Sequence, residues 1–290
     1  MKITELLVTM SKKSFQEIPV SDWRSVFGFD EVKHGLSVFR GQCDSKWKLQ
    51  TSLDREFKRL NIGNDYYLHK EHALLSQFRR RAHLYELHIP NPADSVSWLA
   101  MMQHHGAPTR LLDFTYSFYI ACFFAFSDGR IDRPATVWAI NDLWLRTCLD
   151  GDKLREDYLA DQADKANQFL ATQHDSYKGG GKPQATKKGI FILEPYYQLQ
   201  RLAVQQGLFI MPKNIDDSFL NTVQAHPFVS GERMSDWHAD TKLHIKKFVF
   251  SPEAKTVGLR ELKEMNITAE SLFPGIDGFA RSLRHTVLAV

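Results

Sequence analysis

Cysteine is scarce in this 290-residue chain: Cys43, Cys122 and Cys148 are the only three, and no two form a CxxC pair. An odd, sparse set builds neither a disulfide framework nor a thiolate zinc site, and a reducing cytoplasmic compartment is expected. Glycine (16) and proline (11) are also few, which excludes collagen-like and low-complexity chains. Charge of one sign is nearly absent in the balance: 37 Lys and Arg against 34 Asp and Glu leave +3, too little to demand a nucleic-acid or membrane partner. The longest purely apolar run, Phe118 to Phe126, is nine residues, about half of the ~20 that a bilayer core needs. The opening MKITELLVTMSKKS carries Glu5 inside its apolar stretch, so neither a membrane span nor a secretion signal is expected. Repeats and Pro/Gly/Ser-rich linkers are missing too. A single domain over 1–290 is expected, with a core from about 33 to 285, residues 1–32 as an N-terminal extension and 176–189 as a mobile basic loop.

What is present is an ordinary globular composition, 43% apolar and 24% charged, with irregularly interleaved helix and strand patterns. Strands are expected at Ser37–Gly41, Thr136–Ile140, Ile190–Leu193, Leu208–Met211 and Leu243–Phe250. Helices are expected over Tyr67–Tyr85, with Leu68, Leu75, Phe78, Ala82 and Tyr85 inward, and after Asp94-Ser95, with Trp98, Leu99 and Met102 inward. The apolar segment to Phe126 reads as a buried helix, Asp152–Thr172 as an amphipathic one, and Ser251-Pro252 as the start of a helix reaching about Met265. This irregular order predicts α+β rather than a parallel βαβ array.

Three clusters could carry chemistry. QHHGAPTRLLDFT, Gln103 to Thr115, sets two histidines, Arg110 and Asp113 between a helix and an apolar core. Unpaired charge there is penalised, so Arg110 and Asp113 read either as an ion pair that staples the loop or as site residues. His104 and His105 lack the spacing of metal ligands, and no metal is expected. In VFRGQ, Val38 to Gln42, Arg40 can grip a phosphate with its planar fork and Gly41 admits close approach; the plain alternative is a surface arginine beside a turn glycine. In RLAVQQGLF, Arg201 to Phe209, Gln205 and Gln206 stand at the mouth of a strand, either as ligand contacts or as turn-bonding polar residues.

Together, VFRGQ, KWKLQTSLDREF, the helix with Glu71 and Phe78, WLAMMQHHGAPTRLLDFTYSFYIACFFA, RLAVQQGLF and SLFPGIDGF resemble the FRG-domain proteins, from about Val38 to Phe279. In layout the chain also resembles the arginine-type mono-ADP-ribosyltransferases: Arg40-Gly41 on an early strand, Thr115-Tyr116-Ser117 before an apolar helix, then Gln205 or Gln206 before a strand. That resemblance implies a split-sheet core with helical insertions and NAD as substrate. By it, Arg40, Gly41, Gln42, His104, His105, Arg110 and Thr115 bind NAD. Arg40, Thr115, Ser117, Gln205, Gln206 and Glu194 serve catalysis. The departure is the third element, where those enzymes usually carry a glutamate; Glu194 is the nearest carboxylate.

The acceptor is read from charge. Lys46 to His88 holds nine basic and five acidic residues, including Arg79-Arg80-Arg81, and the 176–189 loop adds Lys178, Lys182, Lys187 and Lys188. A nucleic acid is modestly favoured over a protein as acceptor. The expected function is an ADP-ribosyltransferase acting as a toxin or anti-phage effector, with an antitoxin or regulator as partner. The alternatives are a nucleotide-sensing module without turnover, and a metal-dependent nuclease or phosphoesterase using His104, His105 and Asp113.

Overall fold

The computed structural model describes residues 15–127, 132–150, 158–178, 189–195, 200–215, 219–224 and 244–288. Among them, seven strands form one sheet: β1 (Gln16–Val20), β2 (Ser37–Gln42), β3 (Leu112–Thr115), β4 (Ala135–Asn141), β5 (Ile190–Leu193), β6 (Gly207–Pro212) and β7 (Ile245–Phe250). Their order is β1-β7-β4-β2-β3-β6-β5, antiparallel except for the β1–β7 pair. The architecture is α+β.

The helices follow from local signals. α1 (Asp30–Lys33) and α2 (Ser52–Arg59) come first, the latter capped by the Thr51 hydroxyl accepting from the Asp54 amide. α3 (Tyr67–Arg81) is followed by α4 (Ser95–His104), where Asp94 caps by accepting from the Ser97 amide. Gly106, at φ 80°, takes the left-handed turn that ends α4. α5 (Phe118–Phe126) is apolar all round and buried accordingly. α6 (Asp142–Asp150), α7 (Tyr158–Lys178), α8 (Gln200–Val204) and α9 (Phe219–Gln224) precede β7. After it come α10 (Pro252–Glu264), α11 (Ala269–Leu272) and α12 (Ile276–Leu288). Ser251 and Pro252 begin α10 as expected, the Ser251 hydroxyl accepting from the Ala254 amide.

Several boundaries differ from expectation. The core begins before residue 33: β1 pairs along β7, and Val20, Trp23 and Val26 are buried with Phe118, Phe126 and Phe250. Tyr85 is 85% exposed, because the helix breaks into a 3-10 turn at Ala82 and the 100° spacing is lost. α7 runs to Lys178, into the expected basic loop; Lys182, Lys187 and Lys188 lie outside the described residues.

Strand alternation assigns each residue a face. On one face, β4, β2, β3, β6 and β5 bury Trp138, Ile140, Val38, Leu112, Phe114, Leu208, Ile210, Ile190 and Ile192 in a common cluster with Trp144. On the other, two clusters lie side by side. One joins Phe39, Val137 and Phe248 to α5 and α10; the second joins Phe191, Phe209 and Met211 to α3, α4 and α7. The seam between them runs above the β2–β3 junction. There the two strands share only the Phe39–Thr115 pair, whereas β2 pairs with β4 along its whole length. The sheet is therefore continuous but nearly divided at one residue pair.

Candidate functional site

A cavity of about 980 Å³ opens where β2 and β3 part. Its walls come from β2 and the segment after it, from the end of α4, from β3 and α5, and from Arg201, Gln205, Phe273 and Arg281. Among the described residues, six cationic side chains line it, Arg40, Lys46, Lys48, Arg55, Arg201 and Arg281, against a single carboxylate, Asp113. A concavity of this size with so unequal a charge suits an anionic small molecule.

Arg40 sits in the division of the sheet. Its Nη1 donates to the Asp113 carbonyl at 2.6 Å and lies 3.5 Å from Asp113 Oδ2, while its Nε is buried without a partner among the described residues. Burial lowers the Arg40 pKa, Asp113 opposes that shift, and Arg55 adds to it. Asp113 is held in turn by Gln103, whose Nε2 donates to Oδ2 at 2.9 Å. Gln103 Oε1 accepts from the Thr109 hydroxyl at 2.6 Å, and the Thr109 carbonyl accepts from the Leu53 amide at 3.0 Å. A chain of contacts thus runs from the start of α2 through the QHHGAPTRLLDFT loop to Arg40. The loop is a brace that orients Asp113 and Arg40.

The structure places Arg40, Gly41, Gln42, His104, Thr115 and Gln205 on the cavity wall, where several of them bond or pack within the fold. Gly41 admits a helix rather than a ligand: a Cβ there would lie 1.9 Å from the Ala121 carbonyl oxygen and 2.7 Å from the Ala125 nitrogen of α5. Gln42 is spent on both ends, donating to the Lys48 carbonyl (3.1 Å) and accepting from the Trp138 indole (2.8 Å). Thr115 donates to the Gln205 carbonyl at 2.7 Å and accepts from the Ser117 amide, fixing the turn that carries Gln205. The Gln205 side chain donates to the Leu272 carbonyl at 2.9 Å, which ties that turn to α11. His104 is half-buried in the wall, and burial, then His105, then Arg201, lower its pKa.

The remaining expected site residues lie elsewhere. Arg110 is fully buried and forms a two-pronged ion pair with Glu71 through Nε and Nη2, with Nη1 toward the Lys213 carbonyl. The staple reading holds, but with Glu71 as the partner rather than Asp113. Ser117 is the cap of α5, accepting from the Ile120 amide. Gln206, at φ 47°, is an exposed turn residue whose carbonyl accepts from the Tyr116 amide. His105 is exposed and does not line the cavity. Glu194 continues the β5 alternation onto the Ile190–Ile192 face, away from the seam, where it accepts from the Tyr116 hydroxyl at 2.7 Å. Burial and Glu194 raise the Tyr116 pKa. Arg79 is engaged with the Ser95 hydroxyl and the Trp98 ring, and Arg79, Arg80 and Arg81 are absent from the cavity wall. Nothing is described of the Lys178 side chain.

Sequence reasoning missed Lys46, Lys48, Arg55, Gln103, Arg201, Phe273 and Arg281. The Arg201 and Arg281 guanidinium carbons lie 4.5 and 4.6 Å from the Phe273 ring centre, and among the described residues neither forms a salt bridge. Burial and the Arg281 charge lower the Arg201 pKa, while Asp113 raises it. Two cations sharing one ring repel each other, and an anion bound between them would relieve that repulsion. The available signals were RLAVQQGLF, which begins with Arg201, and SLFPGIDGF, which contains Phe273; spacing alone does not bring them together. Among the described residues, no three His, Cys, Asp or Glu side chains gather in a metal-binding group, and no helix is long and apolar enough to cross a membrane.

A divided α+β sheet with a cationic cavity at the division defines the class of site. The family model for the FRG domain matches residues 36–133, which run from β2 through α5, so that stretch of the chain is similar to the FRG domain. The RLAVQQGLF and SLFPGIDGF walls lie beyond that match. Comparison with curated proteins and with solved structures gives no match.

Proposed function

We propose that the protein is an ADP-ribosyltransferase that uses NAD to modify a macromolecule, nucleic acid before protein, as a toxin or defence effector. What carries the reading is the cavity itself: six cations around one carboxylate, opening beside Arg40 where the sheet divides. The diphosphate of NAD would meet the arginines, with Arg201 and Arg281 as the pair in greatest need of an anion. Breaking the bond from ribose to nicotinamide sends the electron pair out with nicotinamide and leaves positive charge on the sugar. An acceptor nucleophile then bonds to that carbon and releases its proton to solvent. The group suited to stabilise the developing charge is Asp113, the cavity's carboxylate, oriented by Gln103 and Arg40; Glu194 faces the wrong side of the sheet. Arg40 and Gln103 are positioning residues for Asp113, and Arg40 also reaches the cavity.

The test is release of nicotinamide and transfer of label from adenylate-labelled NAD, with RNA, DNA and cell lysate as separate acceptors. Wild type should transfer label, and Asp113→Asn should lower turnover about 100-fold with NAD affinity largely kept. NAD that neither binds nor turns over with any acceptor defeats the proposal. Binding without nicotinamide release would favour the nucleotide-sensing reading, and cleavage that requires a divalent metal would favour the phosphoesterase.

A further inference from the structure

The segment after β2 shows a disproportion between how firmly its backbone is held and how little its side chains do. The Ser45 amide donates to the Pro134 carbonyl at 2.9 Å, and the Ser45 carbonyl accepts from Lys247 Nζ at 2.8 Å. Lys46 donates through its amide to Asp44 Oδ1 at 2.9 Å, Trp47 through its amide to the Asp44 carbonyl at 3.1 Å, and the Lys48 carbonyl accepts from Gln42. Leu49 then plugs into the core. Four consecutive residues are pinned by their main chains and a fifth by burial. Yet the side chains of Lys46, Trp47 and Lys48 all stand exposed at the cavity mouth, and none makes a hydrogen bond, ion pair or ring contact among the described residues. Trp47 is 53% exposed.

A large indole left in water on a rigid loop forgoes burial that a small rotation of a flexible loop would recover. Flanked in sequence by two ammonium groups without partners among the described residues, and sharing the cavity lining with Arg55, it has the composition of a stacking platform on a cationic track. Bases have flat faces in every sequence, and the phosphates between them are matched by lysines on either side of the ring. A duplex keeps its bases stacked on one another and offers the ring no face. An acidic peptide would use the lysines but not the indole.

We propose that Lys46, Trp47 and Lys48 form a docking rim for single-stranded nucleic acid, with one base stacked on Trp47 and neighbouring phosphates on the two lysines. The rim leads into the cavity and so deepens the transferase reading by naming the acceptor as a single strand. The binding itself does not depend on that reading. This places the acceptor at the cavity mouth instead of on Arg79-Arg80-Arg81.

The experiment is fluorescence anisotropy of the full chain, without NAD, against a labelled single-stranded 12-mer, an abasic 12-mer of equal charge and a 12-base-pair duplex. Wild type should bind the 12-mer with bases about tenfold or more tightly than the abasic one. Trp47→Ala should remove that preference, leaving the abasic affinity unchanged, and Trp47→Phe should keep most of it. Lys46→Ser with Lys48→Ser should lower the slope of log affinity against log salt by about one. Circular dichroism and melting temperature check that the variants fold, which exposed positions should allow. Equal binding of the base-bearing and abasic strands by wild type, or a Trp47→Ala variant that keeps the preference, overturns the proposal. So does tighter binding of the duplex or of an acidic peptide. If the strand binds as expected but nicotinamide is never released, the rim stands and the transferase fails; if label transfers while Trp47→Ala binds normally, the transferase stands and the rim fails.

Discussion

Arg110 and Glu71 decide whether the QHHGAPTRLLDFT loop contributes structure or chemistry through its arginine. The Arg110 side chain is fully buried and that of Glu71 is 4% exposed, so neither has water to fall back on. Removing one partner leaves the other as an uncompensated buried charge, which typically costs about 3–5 kcal/mol. At about 2–4 °C per kcal/mol for a chain of this order of size, Glu71→Ala or Arg110→Ala should lower the melting temperature by roughly 6–20 °C. Replacing both, as Arg110→Met with Glu71→Leu, removes the two charges together and fills the volume with apolar atoms. That double variant should recover most of the loss, because an intact buried pair is often worth little more than a well-packed apolar one. The assay is thermal unfolding by circular dichroism, with ADP-ribose binding by calorimetry at a temperature where every variant is folded. The structural assignment requires the double variant to be more stable than either single one and to keep its affinity within about threefold, an allowance of ~0.7 kcal/mol. A single variant that melts like wild type but no longer binds would refute it and return Arg110 to the site.

At Gly41 the collision with α5 is with main-chain atoms that cannot rotate away, so Gly41→Ala should cost about 3 kcal/mol or more and separate β2 from α5; denaturant unfolding checks this, and a neutral effect would mean that the glycine serves ligand approach after all. His104 gives a pH prediction. Its folded pKa lies below the ordinary value of about 6.5, so as pH falls through that value the unfolded chain takes up a proton that the folded chain resists. Stability is thus fully present above that pH and declines below it. His104→Gln should reduce the decline between pH 7.5 and 5.5 in denaturant titrations, and identical slopes for variant and wild type would reject the assignment.

Much of the architecture could be read from local chemistry. The strands around Arg40 and Ile192, the uniformly apolar α5 and the Ser251-Pro252 start of α10 all carry signals within a few residues of the element they define. The part that could not be read is what depends on pairing across the chain. Residues 16–20 resemble an extension until β7, more than 200 residues later, supplies the partner strand. Glu194 is near Gln205 in sequence, yet strand alternation turns it to the opposite face. Asp113 reads as the partner of Arg110, three residues away, but Arg110 turns into the core toward α3 while Asp113 turns toward β2. For the site, order along the chain pointed to Arg40, Thr115 and Gln205, which share one cavity wall, but not to the hydrogen bonds that Thr115 and Gln205 make within the fold. A motif shows which residues converge without telling which of their atoms are already spent.

That distinction gives Arg40 its double character. Beyond the Phe39–Thr115 pair, an undisturbed antiparallel ladder would bring Gly41 opposite Asp113 and satisfy the Asp113 carbonyl with a backbone amide. The carbonyl instead accepts from the Arg40 side chain, so the guanidinium takes the place of a ladder bond and holds the strands apart by its own width. The cost of a gap in the middle of a sheet is met by the group that lines the gap. Gly41 lets α5 close against β2, and the Ser117 cap starts α5 two residues after β3, so one side of the opening is sealed by the helix that follows it. The other side is sealed by α4, whose Gln103 fixes Asp113. Division of the sheet, placement of the single carboxylate and creation of the cationic cavity are consequences of one arrangement, and all of its components fall within the matched residues 36–133. Arg201, Phe273 and Arg281 lie outside that stretch, so the matched domain supplies the opening and the rest of the chain supplies the far wall that a ligand meets.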